Sequence, residues 1–304
     1  MSEAVSTKHV IWKKKAMDNL TGYLFLTPWL IGLLSFTIIP ILVSLYLAFT
    51  DYNMLTPPQW IGLQNFQKLV SDPRFQKSVK VTLKFVFIGV PLKLIFALLV
   101  AMILNQKISG LSVYRAVYYL PSLLGSSVAV SILWRQVFNK RGLFNQFLAL
   151  FGIAGKNWIA SPSTALGTVI ILAIWQFGSP MLIFLAGLKQ IPQELYESAD
   201  IDGAGHLRKF LRITLPLLSP TLFFNLVMQV INAMQSFNAC YIISGGTGGP
   251  VDSTLLLSLY LYLNGFAYFK MGYASAIAWI IVAFVAVITF FQFYFSKKWV
   301  FYES

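Results

Sequence analysis

The sequence predicts an all-α, polytopic membrane protein with six transmembrane helices. Three observations carry this. Of 304 residues, 57% are hydrophobic and only 11% are charged, whereas a water-soluble domain carries about 25% charged residues. Six apolar stretches run for about 20 residues or more, each long enough to cross a hydrocarbon layer of about 30 Å as a helix. Those stretches are continuously apolar and do not alternate, which excludes a β-barrel, and helices are then the remaining way to satisfy backbone groups in lipid. The loops leave little chain for a soluble domain.

Taken in order, the first span is expected at 21–49, with Pro28 and Pro40 inside it. Each should bend or break the helix unless neighbours satisfy the freed carbonyls. A loop at 51–80 holds Pro57, Pro58 and Pro73. The second span follows at 81–104, then a short loop with Gly110 and the third span at 115–138. Residues 139–163 form a second medium loop before the fourth span at 164–188. Residues 189–216 are the most polar segment of the chain. The fifth span is expected at 217–243, followed by the Gly-rich run Gly245-Gly246-Thr247-Gly248-Gly249-Pro250, and the sixth at 273–295.

An even number of spans puts both termini on one side. Lys and Arg number twelve on the side of the termini and eight on the other, a modest bias that favours cytoplasmic termini. A net charge of +13 would suggest nucleic acid in a soluble protein. Here the basic residues lie mostly between spans, where they meet lipid headgroups, so membrane lipid and not nucleic acid is the expected partner. Cys240 is the single cysteine, which precludes an intramolecular disulfide. A cleavable signal peptide is not expected, because the apolar run after Lys13, Lys14 and Lys15 is too long and lacks a clear small-residue cleavage site.

All ten carboxylates fall outside the predicted spans, and His9 and His206 lie in polar segments. That argues against a membrane-embedded proton relay, which uses intramembrane Asp, Glu or His. No phosphate loop, HExxH or paired-cysteine pattern occurs, and the Gly245–Pro250 run lacks the following Lys. The chain therefore reads as a passive membrane component with no catalytic residues, metal site or cofactor of its own.

Within 189–216, Pro192 suits the first turn of a helix, with Glu194 and Glu197 near its positive end. Gly203 should stop that helix near Asp202. A second helix then places Leu207, Phe210, Leu211 and Thr214 on an apolar face and Arg208, Lys209 and Arg212 on the other, until Pro216 ends or bends it. Two short helices joined by a Gly turn make a rigid knob suited to a cleft on a partner; a loop lying on headgroups would carry the same pattern.

The order Glu197-Ser198-Ala199-x-x-x-Gly203, nine residues, then Ile213-x-Leu215-Pro216 closely resembles the EAA loop of ABC importer permeases. Ser198 departs from that family, which usually has Ala there. The longer run from Ile191 through Gly205 is similar to the carbohydrate branch, related to the larger membrane subunit of maltose transporters. Phe49-Thr50-Asp51-Tyr52, Gly62-Leu63-x-Asn65-Phe66, Leu120-Pro121-Ser122, Gly248-Gly249-Pro250 and Met271-Gly272-Tyr273-Ala274 look like that branch too.

The resemblance implies the type I ABC importer permease fold. Residues 1–20 would be a cytoplasmic N-terminal segment and 21–304 a six-helix permease domain, with 189–216 as the cytoplasmic coupling loop. It implies a bacterial cytoplasmic (inner) membrane location and a heterodimer with a second permease subunit. Two copies of a cytoplasmic ABC ATPase would hold the ATP and Mg, and an extracytoplasmic solute-binding protein would deliver a sugar. On this chain Glu197, Ala199, Asp202, Gly203 and Ala204 match the coupling motif. Glu197 would contact the ATPase, Gly203 would set the turn, and Leu207 and Phe210 would pack into the ATPase groove.

In the maltose relative the sugar is held by the third, fourth and fifth spans. The matching region here offers Ser122, Ser126, Trp175, Gln176, Ser179, Gln229, Asn232 and Ser236. Gln229, Asn232 and Ser236 fall on one helical face. They would line a cavity, or else polar side chains here glue helices together. The identities differ from the maltose pattern, so that sugar does not carry over. Lys93 is the one charge deep in a span, costing about 3 kcal/mol on insertion scales. It would snorkel, line water or attract an anionic sugar such as a uronic-acid oligosaccharide. The competing function is a six-span secondary transporter or a permease for another small solute.

Overall fold

A computed structural model describes residues 22–106, 110–125 and 127–301. The expected N-terminal segment 1–20, Lys107 and the candidate Ser126 lie outside these residues. In chain order the helices are α1 (Gly22–Ala48), α2 (Gln64–Ser71), α3 (Pro73–Leu104), α4 (Leu111–Leu124), α5 (Val128–Val137), α6 (Leu143–Ala149) and α7 (Ala165–Trp175). They continue with α8 (Gly178–Gln190), α9 (Gln193–Ile201), α10 (His206–Leu217), α11 (Ser219–Met234), α12 (Asn238–Ile243), α13 (257–267) and α14 (Met271–Ser296). Among the described residues the only β-contact is an isolated bridge between Thr50 and Trp60.

α1, α3 and α14 are unbroken and apolar over 27, 32 and 26 residues. The other three spans are bent pairs: α4 with α5, α7 with α8 at 43°, and α10 with α11 at 66°. Counting each pair once gives six spans. Single helices at 115–138 and 164–188 are thus corrected to broken ones, while the run expected at 217–243 meets α10 at a bend beside Leu218 and is interrupted at 235–237 between α11 and α12. The breaks have local causes. Ser127 starts α5 by accepting the Val130 amide, Pro180 sits in the first turn of α8, and Pro220 stands just past the bend between α10 and α11.

Pro28 and Pro40 do not break α1. Its turn widens at Leu34–Ile38, where the Ile39 amide donates to the Leu34 carbonyl five residues back. The same widening occurs at Phe85–Gly89 and Phe210–Thr214. Each of these ends two residues before a proline: Pro40, Pro91 and Pro216. A proline ring clashes with the carbonyl four residues earlier and leaves it unbonded. A locally wider turn moves that carbonyl aside, so the helix continues.

The core forms where α3 meets α8. Leu94, Ala97, Leu98, Ala101 and Leu104 repeat at helical spacing and pack against a face holding Met181, Phe184, Leu185 and Leu188. Lipid is as apolar as leucine, so close approach through small residues matters more than burial itself. Gly187 shows it: a Cβ there would stand 2.6 Å from the Thr221 hydroxyl of α11. α1 is peripheral. Ala48 is its only buried residue, and it packs chiefly on α14.

The end of α1 is held by a joint that gives the short motifs a physical reason. The Asn65 amide nitrogen donates to the Ala48 and Thr50 carbonyls at 2.9 and 2.8 Å. The Gly272 amide donates to the Tyr52 carbonyl at 2.9 Å. A Cβ on Gly272 would stand 2.1 Å from the Thr50 carbonyl oxygen, so only glycine lets α14 start there.

Candidate functional site

The polar segment folds as a hook. α9 begins directly after Pro192 and ends at Ile201, with Asp202 closing it. Gly203 takes φ +71°, the left-handed conformation that glycine adopts freely. Its amide donates to the Asp200 carbonyl at 3.0 Å, and the Ala204 amide donates to the Ala199 carbonyl at 2.9 Å. This paired closure is a Schellman turn, which satisfies the last carbonyls of α9 and fixes the direction of α10. Lys209 then donates to Asp200 at 2.6 Å across the elbow. Glu197 is exposed and accepts from the Gln193 amide at 2.9 Å.

The two residues expected to fill a partner's groove separate. Leu207 is 72% exposed, and Ile201 beside the elbow is 89% exposed. Phe210 turns inward, half-buried against the core. Thr214, four residues on, is buried and its hydroxyl bonds the Tyr196 hydroxyl at 2.8 Å. The single apolar face expected for Leu207, Phe210, Leu211 and Thr214 is corrected accordingly. The widened turn at Phe210–Thr214 changes the angular step along α10, so Leu207 and Leu211 point out while Phe210 and Thr214 anchor the hook.

The second set of candidates converges inside the bundle. Lys93, Gln176, Gln229, Asn232 and Ser236 line one cavity of about 100 Å³, floored by Phe85, Gly89, Val90 and Ala233. They come from α3, the α7–α8 break, α11 and the connection after it. Ser236 lies beyond the end of α11 yet still reaches the cavity. Ser122, Ser179 and Trp175 do not line it. The Ser179 amide donates to the Ser122 hydroxyl at 3.1 Å, and Gly178 fits so closely that a Cβ would stand 2.8 Å from the Tyr118 carbonyl. Gln176 donates to the Gly125 carbonyl at 2.9 Å. The breaks of the third and fourth spans are therefore tied together. Trp175 packs on Trp134, ring centroids 5.8 Å apart.

The sequence profile of the family described as binding-protein-dependent transport system inner membrane component matches residues 9–300. The chain belongs to that family. It is 52% identical over 289 residues, 94% of either chain, to the probable ABC transporter permease protein YesP of Bacillus subtilis. It is 34% identical to the trehalose/maltose transport system permease protein MalF of Thermococcus litoralis, covering 91% of this chain and 93% of that one. Among solved structures, a chain of a bacterial ABC transporter involved in import of the acidic polysaccharide alginate superposes with a TM-score of 0.81. It is 25% identical, with 95% of this chain and 98% of that one covered. The protein is thus an inner membrane component and a transport permease subunit, not an enzyme.

This inner membrane component has a further polar cavity that the sequence reasoning missed. It measures about 500 Å³ and lies between the 51–72 segment, α13 and the start of α14, with Lys68, Lys270 and Tyr52 on its walls. Asp72 organises one side. It caps α3 by accepting the Arg74 amide at 2.9 Å, and both the Tyr260 and Tyr273 hydroxyls donate to its other oxygen. Burial pushes the carboxyl up, but the bonds from Tyr260, Tyr273 and two backbone amides outweigh burial and hold it below the ordinary range. Burial and the Asp72 bond push the Tyr260 hydroxyl up to about 12. Tyr273 and Asp72 stood within recognisable motifs and N-cap chemistry; their contact, across 201 positions, had no local signal.

Proposed function

We propose that this chain forms half of the translocation path of an ATP-driven importer that carries a sugar, an oligosaccharide in size. It pairs with a second permease subunit. Two copies of a cytoplasmic ABC ATPase supply the energy, with ATP and Mg bound there, and an extracytoplasmic binding protein delivers the solute. Both termini and the 189–216 hook face the cytoplasm.

The observation that carries this reading is the hook itself. Its elbow is closed by main-chain bonds, its Glu197, Ile201 and Leu207 side chains are exposed, and α10 continues through a 66° bend into α11. A displacement of the hook is thereby delivered to α11, which carries Gln229 and Asn232 on the cavity wall. The sugar-named relatives, trehalose/maltose and alginate, support the solute class.

The test is a cysteine placed by Leu207→Cys. The native Cys240 is buried, so labelling at 207 is read without interference. Cross-linking of position 207 to a co-purifying ATPase supports the reading. Labelling of that cysteine by an impermeant reagent from outside the cell overturns it.

A further inference from the structure

Lys93 is a cation in the middle of a spanning helix with no anion beside it. It stands eleven residues before Leu104, about 16 Å along the helix axis. That is about half the hydrocarbon thickness, further than a four-carbon stem carries an ammonium group. That depth works against snorkelling to the headgroups. Lys93 opens instead into the cavity shared with Gln176, Gln229, Asn232 and Ser236.

No carboxylate among the described residues answers it. Among the described residues every Asp and Glu lies outside the spans, and the ion pairs are Arg74–Asp252 and Lys209–Asp200. An ammonium at this depth is costly unless an anion or water accompanies it. The groups around Lys93 are neutral amides and a hydroxyl, and no hydrogen bond among the described residues engages the side chains of Gln229 and Asn232. Amides of that kind bond sugar hydroxyls, while a single ammonium balances a single negative charge.

We propose that Lys93 is the charge-selecting residue of the path and that the transported sugar is an anionic one, a uronate unit or its oligomer, of which one carboxylate at a time meets Lys93. The proposal rests on the sugar-importer reading above and names its substrate class. Gln229 and Asn232 then hold hydroxyls while Lys93 holds the carboxylate, and a neutral sugar leaves the charge uncompensated.

The experiment uses the full chain in cells that also make its partner subunits and binding protein. The probe is a mixture of uronate di- to tetrasaccharides, half of each methyl-esterified at the carboxyl, with imported species read by mass spectrometry. Wild type is expected to take up the free acids in preference to the esters. Lys93→Met should lower that ratio by about tenfold or more, and Lys93→Arg should retain it. Equal loss of both forms in Lys93→Met, the pattern of a counter-ion on the partner permease, overturns the proposal. So does equal entry of acids and esters in wild type, or entry of neither while an ATPase still co-purifies. Absence of both uptake and a co-purifying ATPase would instead remove the importer reading itself.

Discussion

Arg74 and Asp252, 178 positions apart, face each other as a two-pronged pair: Nη2 donates to Oδ1 at 2.8 Å and Nε to Oδ2 at 3.2 Å. The pair fastens the first turn of α3 to the segment after the Gly-rich run. Both side chains are partly exposed, at 39% and 28%, so solvent screens the attraction. Arg74→Ala and Asp252→Ala should each lower stability by about 1 kcal/mol, and the double variant by little more than either. Thermal unfolding of the purified protein reads this, and additive losses would show that the two do not act together.

Asp72 sets an acid limit. Its carboxyl lies below its ordinary value of 3.8, so as pH falls the unfolded chain binds the proton first. The stability it contributes is complete above that ordinary value and is lost as pH drops through the folded one. Unfolding temperatures should fall between about pH 5 and pH 3, and Asp72→Asn should flatten that slope. Tyr273→Phe removes one donor and should move the loss to higher pH. An unchanged slope in Asp72→Asn would assign it to other carboxylates.

Gly203→Pro removes the amide that donates to Asp200 and forbids φ +71°. Uptake should be abolished while the amount of protein in the membrane stays at wild-type level. Gly203→Ala strains the elbow by about 1 kcal/mol and should reduce uptake only in part. Glu197→Lys should also abolish uptake with insertion intact. Normal uptake by Gly203→Pro and Glu197→Lys would separate the hook from energy coupling.

Leu207→Ala and Phe210→Ala should differ in kind. The first trims an exposed side chain and should weaken ATPase co-purification without changing the unfolding temperature. The second empties a packed site and should cost about 3 kcal/mol of stability. Identical behaviour of the two would contradict their opposite directions on α10.

Glycines offer a matched pair. Gly272→Ala drives a methyl against the Thr50 carbonyl, whereas a methyl on Gly167 meets nothing within 4 Å. Gly272→Ala should abolish folded protein in the membrane, and Gly167→Ala should be neutral or gain up to about 1 kcal/mol. Size-exclusion profiles of the solubilised variants distinguish them.

Much of this was legible because lipid imposes simple rules. The run that became α14 was expected at 273–295 and spans Met271–Ser296, since uninterrupted apolar residues have no alternative in a bilayer. The end of α9 was read from Gly203 alone. The bend into α11 was expected at Pro216 and falls two residues later, whereas the breaks in the third and fourth spans were not expected, because the marks at Ser127 and Pro180 do not show the close approach of Gly125 to Gln176 and of Gly178 to Tyr118. Within the cavity, Gln229 and Asn232 were readable as one face, but the place of Lys93 beside them depends on how α3 crosses α11. Ser122 and Ser179 looked identical to cavity residues in sequence, and only close packing at Gly178 turned them into a seam. The cavity of about 500 Å³ draws on parts of the chain about two hundred positions apart, beyond any local pattern.

The Gly203 elbow keeps its shape through main-chain bonds, a glycine conformation and the Lys209–Asp200 pair, none of which involves the side chains at 201, 204 and 207. Decoration at 201, 204 and 207 is free to drift as an adjoining protein drifts, with the lever beneath it unaltered. Recognition and leverage are thereby separable traits in this molecule, each open to change without disturbing the other.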